Sequence, residues 1–319
     1  MRRWAPATST LAGVVFACTS MAGLAQVRKG TVAAQSLLVY AQMSTESDTV
    51  ATLPHGAAVQ ILFSVTTGDG SWCSVANANS TTKLGYVDCN GLAIETVPGS
   101  GPASAFGAGQ PPTPQQKAWA LAASAIASTV NGTGTRTLAA DTPAQAREAL
   151  AAGWEVHNRD DLFNALSTIE DGQELAIFSM FGQRTSALSV ADFNTLLSQL
   201  TPLQAKAARL ARKYYQVYQS QNLTGWEYAR YIDACRWGVS AGYLTPDEAW
   251  PRIMSAARLI QQTFGSWQEF GQNYLLGWEI FPTTTVGGPL RESPRAAYEW
   301  LISNPNSPWR KTPWNLPLE

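Results

Sequence analysis

Four times the chain writes the same helix-start signal: Thr113-Pro-Gln-Gln116, Thr142-Pro-Ala-Gln145, Thr201-Pro-Leu-Gln204 and Thr245-Pro-Asp-Glu248. The threonine hydroxyl can accept an orphan N–H of the first turn, proline suits the first helical position, and Gln or Glu at the third reaches back to the cap. Four such boxes predict at least four helices. Asn158, Ser189, Thr224, Ser266 and Ser293 are further cap candidates. The helix bodies agree with the starts. Leu203, Ala207, Leu210, Tyr214 and Val217 form one apolar stripe, and Trp250, Ile253, Met254, Ala257, Ile260 and Phe264 form another. Stripes of this kind bury against one another, so residues 114–303 are expected to be an all-α helical bundle.

Upstream the texture changes. Residues 27–97 alternate short β-type runs with turns. The runs are Ser36–Tyr40, Ala57–Val65, Trp72–Val75 and Leu84–Cys89; the turns are Leu53-Pro-His-Gly56 and Thr67-Gly-Asp-Gly-Ser71. This predicts a small all-β barrel. Residues 98–113 are dominated by Gly, Pro and Ser, the composition of a flexible linker, so barrel and bundle are expected to be separate bodies on a loose tether. The proline spacing of residues 304–319 favours an extended polyproline-type tail that cannot be helix. Trp309 and Trp314 would either pin that tail to its own bundle or meet a partner. The expected fold class is therefore α+β multidomain, a small SH3-like barrel followed by the bundle.

The N-terminus reads as an address. Met1-Arg2-Arg3 precedes an apolar run, Leu11–Ala25, that ends in small residues with Gly23 and Ala25 before Gln26. That layout is a secretory signal peptide over residues 1–25. The run is shorter than the roughly 20 residues of a membrane span. Two other readings of it are a buried N-terminal helix and a lipoprotein box ending at Cys18, although Phe16 is bulky for the latter. No later segment approaches 18 unbroken apolar residues, so no transmembrane segment is expected. Charged residues make up 14% of the chain, against about 25% in an average protein, a composition common in secreted proteins. Net charge is −1, so nothing draws the whole chain onto nucleic acid. An exported, periplasmic or secreted product is expected.

Export permits disulfides. One antiparallel register of the runs around residues 73 and 87 faces Cys73 with Cys89 and Val75 with Val87, on one side of the sheet. A Cys73–Cys89 bridge is then reasonable; the alternative is two small unpaired apolar side chains. Cys235 falls mid-helix and reads as a small buried core residue.

Two stretches resemble known families. Ser36-Leu-Leu-Val, Val50–Leu62, Gly70-Ser-Trp-Cys-Ser-Val and Leu84-Gly-Tyr-Val resemble a bacterial SH3 (SH3b) domain over residues 31–92. That resemblance implies binding of cell-wall or other peptides, with Tyr40, Trp72 and Tyr86 lining an aromatic groove. Gly153-Trp-Glu-Val, Arg159-Asp-Asp-Leu, the run Trp226–Trp250 and the run Phe264–Gly277 resemble the bacterial family called "domain of unknown function 1266", over about residues 150–281. This second resemblance implies an architecture and supplies no mechanism.

Candidate chemistry is sparse. Gly238-Val-Ser-Ala-Gly242 spells G-x-S-x-G, but a helix runs into it where a nucleophile elbow needs a strand, and Gly242 is better placed just past a helix C-terminus. A triad also needs a histidine, and the chain has only His55 and His157. Arg230, Asp233 and Arg236 share one helix face beside Trp237, readable as an anion or carboxylate clamp or as a register-fixing ion-pair set. Trp154 and Arg159 belong to the same question: a pocket makes this group a ligand site, a closed network makes it scaffold. Glu227, Glu248, Glu269 and Glu279 could hold a glycosidase-like acid pair, yet Glu248 and Glu227 are also explained by helix starts. Lys206, Arg209, Arg212 and Lys213 form a basic stripe opposite Leu203–Val217, a solvated face or a partner surface. The twelve tryptophans invite sugar binding, but Trp226, Trp237, Trp250 and Trp267 fall near apolar faces and suit core packing. No metal-ligand spacing and no cofactor motif is present, so no cofactor is expected.

The reading is a non-catalytic envelope or secreted binding protein that contacts peptidoglycan or a peptide through Tyr40, Trp72 and Tyr86, with Asp233, Arg236 and Trp237 as a second candidate site. The alternatives are a secreted cell-wall hydrolase or toxin-like enzyme that uses the barrel for targeting, and a purely structural or assembly role.

Overall fold

The computed structural model describes residues 28–67, 70–78, 80, 83–94, 111–170, 172–219, 221–281 and 293–318. The expected signal peptide over 1–25, with Cys18, lies outside the described residues, as does most of the linker.

Alternating apolar residues build an N-terminal antiparallel sheet: β1 (Arg28–Val32), β2 (Ser36–Tyr40), β3 (Thr49–Pro54), β4 (Ala58–Thr67), β5 (Gly70–Asn77), β6 (Lys83–Asp88) and β7 (Leu92–Ile94). Its order is β3-β2-β6-β5-β4-β1-β7. All seven strands send side chains, among them Val32, Leu37, Leu53, Val59, Val75, Val87 and Leu92, into one core. A flat sheet could not bring its two edges to a common core, so this one wraps around it as a barrel-like module. The Cys73–Cys89 disulfide is formed, with Cα atoms 5.1 Å apart. The register differs from the expected one by two residues: Cys73 faces Val87 and Val75 faces Gly85. An even shift keeps each side chain on its face, so Cys89, just beyond β6, still reaches Cys73. Gly85 is required where it stands, because its φ is +156° and a Cβ there would lie 2.6 Å from the Tyr40 carbonyl oxygen.

The rest is helical: α1 (Pro114–Ala122), α2 (Ala125–Asn131), α3 (Pro143–Trp154), α4 (Arg159–Glu170), α5 (Gln173–Ser186), α6 (Val190–Ser198), α7 (Pro202–Tyr218), α8 (Thr224–Ala241), α9 (Pro246–Thr263), α10 (Trp267–Ile280), α11 (Pro294–Ser303) and α12 (Pro308–Lys311). The boxes at Thr113, Thr201 and Thr245 form as expected. At Thr142 the helix starts, but the hydroxyl donates to Gln145 Oε1 and caps no backbone N–H. Asn158, Ser189, Ser266 and Ser293 cap their helices. Thr224 does not; it is already inside α8, and its hydroxyl donates back to the Gln221 carbonyl.

Helix α8 is buried on nearly every side, from Trp226 through Tyr231 and Cys235 to Ala241, as the centre of a bundle must be. Cys235 is the free buried thiol expected, and burial pushes its pKa up to about 12. The stripe expected to bury α7 is turned: Leu203 and Val217 are exposed, at 39% and 66%, while Ala205, Ala207, Ala208, Ala211 and Tyr215 face inward. The cause is close packing on α5, where a Cβ on Gly182 would lie 2.2 Å from the Tyr215 ring. At that separation alanines fit and leucines do not.

The C-terminal tail docks on its own bundle. Trp309 stacks on Trp267 at 5.4 Å and its indole N–H donates to the Ala122 carbonyl at 2.8 Å. Trp314 packs on Trp119 and Trp267. The tail is not wholly extended, because Pro308–Lys311 is a helical turn. Ser307 caps it and proline takes its first position, the same start signal in miniature.

The two bodies also meet. Phe63 of β4 leaves the sheet's own core for the helical one, where it stacks on Tyr228 of α8 at 5.4 Å and meets Tyr231 edge to face at 5.5 Å. Barrel and bundle thus touch through an apolar plug instead of hanging apart.

Candidate functional site

Three aromatic residues of the barrel were expected to line one groove. Two of them do. Tyr40 and Trp72 meet edge to face at 5.6 Å and line a depression of about 210 Å³ with Leu37, Leu38, Thr45, Ser71 and Asp88. β2 and β5 set this up. Trp72 lies opposite Asp88 on β6, and Tyr40 opposite Tyr86. No helix contributes to the lining. The depression offers an aromatic wall, an exposed leucine (Leu38) and one carboxylate, Asp88, which also accepts the Asn90 N–H at 2.9 Å. Its volume is below the several hundred Å³ of an enclosing ligand pocket, so it suits a segment laid across it better than a swallowed molecule. The Trp72 indole N–H is buried without an acceptor. Leu37, Leu38, Thr45, Ser71 and Asp88 were not singled out from sequence, because each becomes a wall only once β2, β5 and β6 lie side by side.

Tyr86 is elsewhere. It is 3% exposed and turned onto the bundle, where its hydroxyl donates to Glu170 Oε2 of α4. Tyr231 donates to the other carboxylate oxygen at 2.8 Å. Lys83 stands 3.9 Å over the Tyr86 ring and donates to Ser167 Oγ at 2.6 Å. Burial raises the Glu170 pKa, opposed by the Lys83 charge and the two phenol hydrogen bonds. The same burial, with the carboxylate close by, raises that of Tyr231 well above its ordinary value. Sequence reasoning gave no sign of this junction, since Glu170 ends a helix in a run of ordinary polarity.

The second candidate group is closed. Arg236 has no exposed surface; its guanidinium donates to Ser124 Oγ, Ser128 Oγ and the Gly134 and Thr137 carbonyls, and lies 3.8 Å from Asp233. Trp237 donates its indole N–H to Asp233 at 3.0 Å. Burial raises the Asp233 pKa and lowers that of Arg236, each opposed by the charge of the other. Arg230 lies over the rings of Trp154 and Trp226. Arg159 is apart from them, paired with Glu248, whose pKa its hydrogen bond pulls down to about 2. Arg236 thus ties α8 to α2 and the loop before α3, while its Nε and Asp233 Oδ1 are buried without a hydrogen-bond partner among the described residues.

The remaining candidates are committed to structure. Ser240 donates to the Arg236 carbonyl and accepts the Ala140 N–H at 2.7 Å, with Gly242 in the left-handed region just past α8. Glu227 pairs with Arg230, Glu279 with Arg295, and Glu269 accepts from Gln221 and from the Gly265 N–H. Trp226, Trp237 and Trp267 are buried, and Trp250 is half-buried. Among the described residues no group of His, Cys, Asp and Glu could hold a metal ion, and no helix is long and apolar enough to cross a membrane.

Residues 149–314 match the family model described as "Protein of unknown function (DUF1266)", and residues 19–93 match the "GW (Gly-Tryp) dipeptide domain". The first match runs through the docked tail as far as Trp314. No curated protein and no solved structure matches the chain.

Proposed function

For a chain that belongs to the DUF1266 family and carries a GW domain at its N-terminus, we propose the role of an exported, non-catalytic binding protein of the bacterial envelope. The GW domain is an SH3b-like module of the cell-wall-binding type. Its exposed depression contacts peptidoglycan or a peptide. The observation that carries this reading is the Tyr40–Trp72 pair, which lines an open depression that the docked bundle leaves uncovered. Export is supported by the basic-then-apolar leader and by the Cys73–Cys89 disulfide, which an oxidising compartment permits.

Co-sedimentation with purified peptidoglycan tests the site. Trp72 is buried, so Trp72→Ala alone would confuse binding with folding. Tyr40→Ala and Leu38→Ser change accessible side chains. Both are expected to weaken binding by about tenfold, the loss of roughly 1.4 kcal/mol of contact, with the thermal transition little moved. Retention of full binding by folded Tyr40→Ala and Leu38→Ser removes the groove assignment.

A further inference from the structure

Helix α7 carries Lys206, Arg209, Arg212 and Lys213 and no acidic residue. The whole segment 173–218 holds five basic and two acidic residues, a net +3 inside a chain whose total is −1. Arg212 is used internally, lying over Phe193 and donating to the Leu188 carbonyl. Lys206, Arg209 and Lys213 are exposed, and among the described residues none of them has a carboxylate partner.

The same outward face presents apolar side chains. Leu203, Lys206, Lys213 and Val217 follow one another at helical spacing, and Leu203 and Val217 are exposed. Met180 and Arg184 of α5 are also exposed, but they lie on the side of that helix turned away from α7, because Gly182 between them faces Tyr215. Seven large apolar side chains are exposed among the described residues, and two of them, Leu203 and Val217, share this face of α7. Single exposed apolar residues need no explanation, but two on one helix face beside exposed cations, of which Lys213 lies 4.7 Å over the Tyr214 ring, do.

We infer that the outer face of α7 docks on an anionic lipid surface, Lys206, Arg209 and Lys213 meeting headgroup phosphates while Leu203 and Val217 enter the headgroup–acyl boundary. Charge complementarity chooses an anionic partner, since among the described residues these cations have no carboxylate partner and α7 has no acid. The apolar side chains choose lipid over a soluble polyanion, because a nucleic acid or anionic glycan would use the cations and leave Leu203 and Val217 in water. The face belongs to the helical body, so this inference stands apart from the barrel groove.

Flotation of the full chain with vesicles tests it, using phosphatidylcholine alone and phosphatidylcholine mixed with phosphatidylglycerol. The expected result is flotation with the anionic vesicles only, weakened by added salt. Lys206→Gln with Lys213→Gln should lower the affinity about tenfold or more, near the surface contribution of two cations. Leu203→Ser with Val217→Ser should also weaken it. All four positions are exposed, and an unchanged thermal transition confirms folding. Absence of flotation, equal flotation with neutral vesicles, or wild-type flotation by both double variants overturns the inference. So does binding to soluble polyphosphate that Leu203→Ser with Val217→Ser leaves unaltered, which would make the face a polyanion site. Peptidoglycan binding is read separately, so failure on vesicles leaves the groove untouched and failure on peptidoglycan leaves this face untouched.

Discussion

The Tyr86 hydroxyl on β6 donates to the Glu170 carboxylate at the end of α4, and both side chains are almost wholly buried. A residue that the family resemblance assigns to a ligand groove is thus a fastener between sheet and bundle. Around it Lys83, Tyr231 and Arg252 supply the remaining polar and charged neighbours of the carboxylate, and Phe63 supplies the apolar plug. A buried carboxylate is tolerated only when it is hydrogen-bonded and faces opposite charge, and Glu170 has both.

That junction makes stability depend on pH. The Glu170 pKa is raised in the folded protein, chiefly by burial, so the native state binds this proton more tightly than the unfolded chain does. Its effect on stability is therefore most favourable below the ordinary carboxyl value and declines as pH rises from there through the raised folded value. Glu170→Gln should remove this slope. Asp233 shifts in the same direction but is present in both proteins, so the difference between their urea-unfolding curves across pH isolates Glu170. Parallel curves would show that its titration is not linked to folding.

Arg236→Ala should be strongly destabilising, by about 3–5 kcal/mol, because it leaves the Asp233 carboxylate buried without its opposite charge and the Ser124, Ser128, Gly134 and Thr137 oxygens without their donor. Arg236→Lys should not restore stability, since one ammonium cannot span the serine hydroxyls and loop carbonyls that the planar fork reaches. Chemical denaturation measures both, and a mild effect of either would reopen the group as something other than scaffold.

Removing the bridge with Cys73→Ala and Cys89→Ala should cost about 3 kcal/mol, the loop-closure term for a separation of 16 residues. Both sulfurs are buried in the sheet core, so the loss should come with a broader proteolytic susceptibility of residues 70–94. An unchanged urea midpoint would contradict the structural role.

Trp309→Ala should destabilise the bundle by about 3–5 kcal/mol, the usual range for emptying a buried aromatic site. The indole touches Trp267, Phe270 and Tyr298, and its N–H satisfies the Ala122 carbonyl. Thermal unfolding followed by tryptophan fluorescence reads this. A tail that merely lies on the surface would leave the transition where it was.

Local signals were the legible ones. Threonine or serine before proline marked where helices begin at Thr113, Thr201, Thr245 and Ser293, because a cap and its box lie within four residues of one another. The same dipeptide at Ser307-Pro308 was overlooked among the tail's other prolines. Alternation gives β2, β4, β5 and β6 but not β1, β3 or β7; β3 and β7 lie at the sheet edges, where short or half-buried strands carry a weak pattern. The disulfide partners could be named from face parity, which survives a two-residue error in register.

The capped helix starts and the alternation of the central strands were written locally, in spacings of two to four residues, and the cysteine pairing followed from the face parity of two neighbouring strands. Which face of α7 points inward, where Tyr86 spends its hydroxyl, and which oxygens surround the Arg236 guanidinium were decided by the tertiary structure alone. Those outcomes depend on what stands opposite each side chain across distances of tens to a hundred residues: Gly182 letting α5 approach, Glu170 waiting at the end of α4, and Ser124 with Ser128 facing α8. Sequence periodicity reports how polar a face is; only packing determines its neighbour.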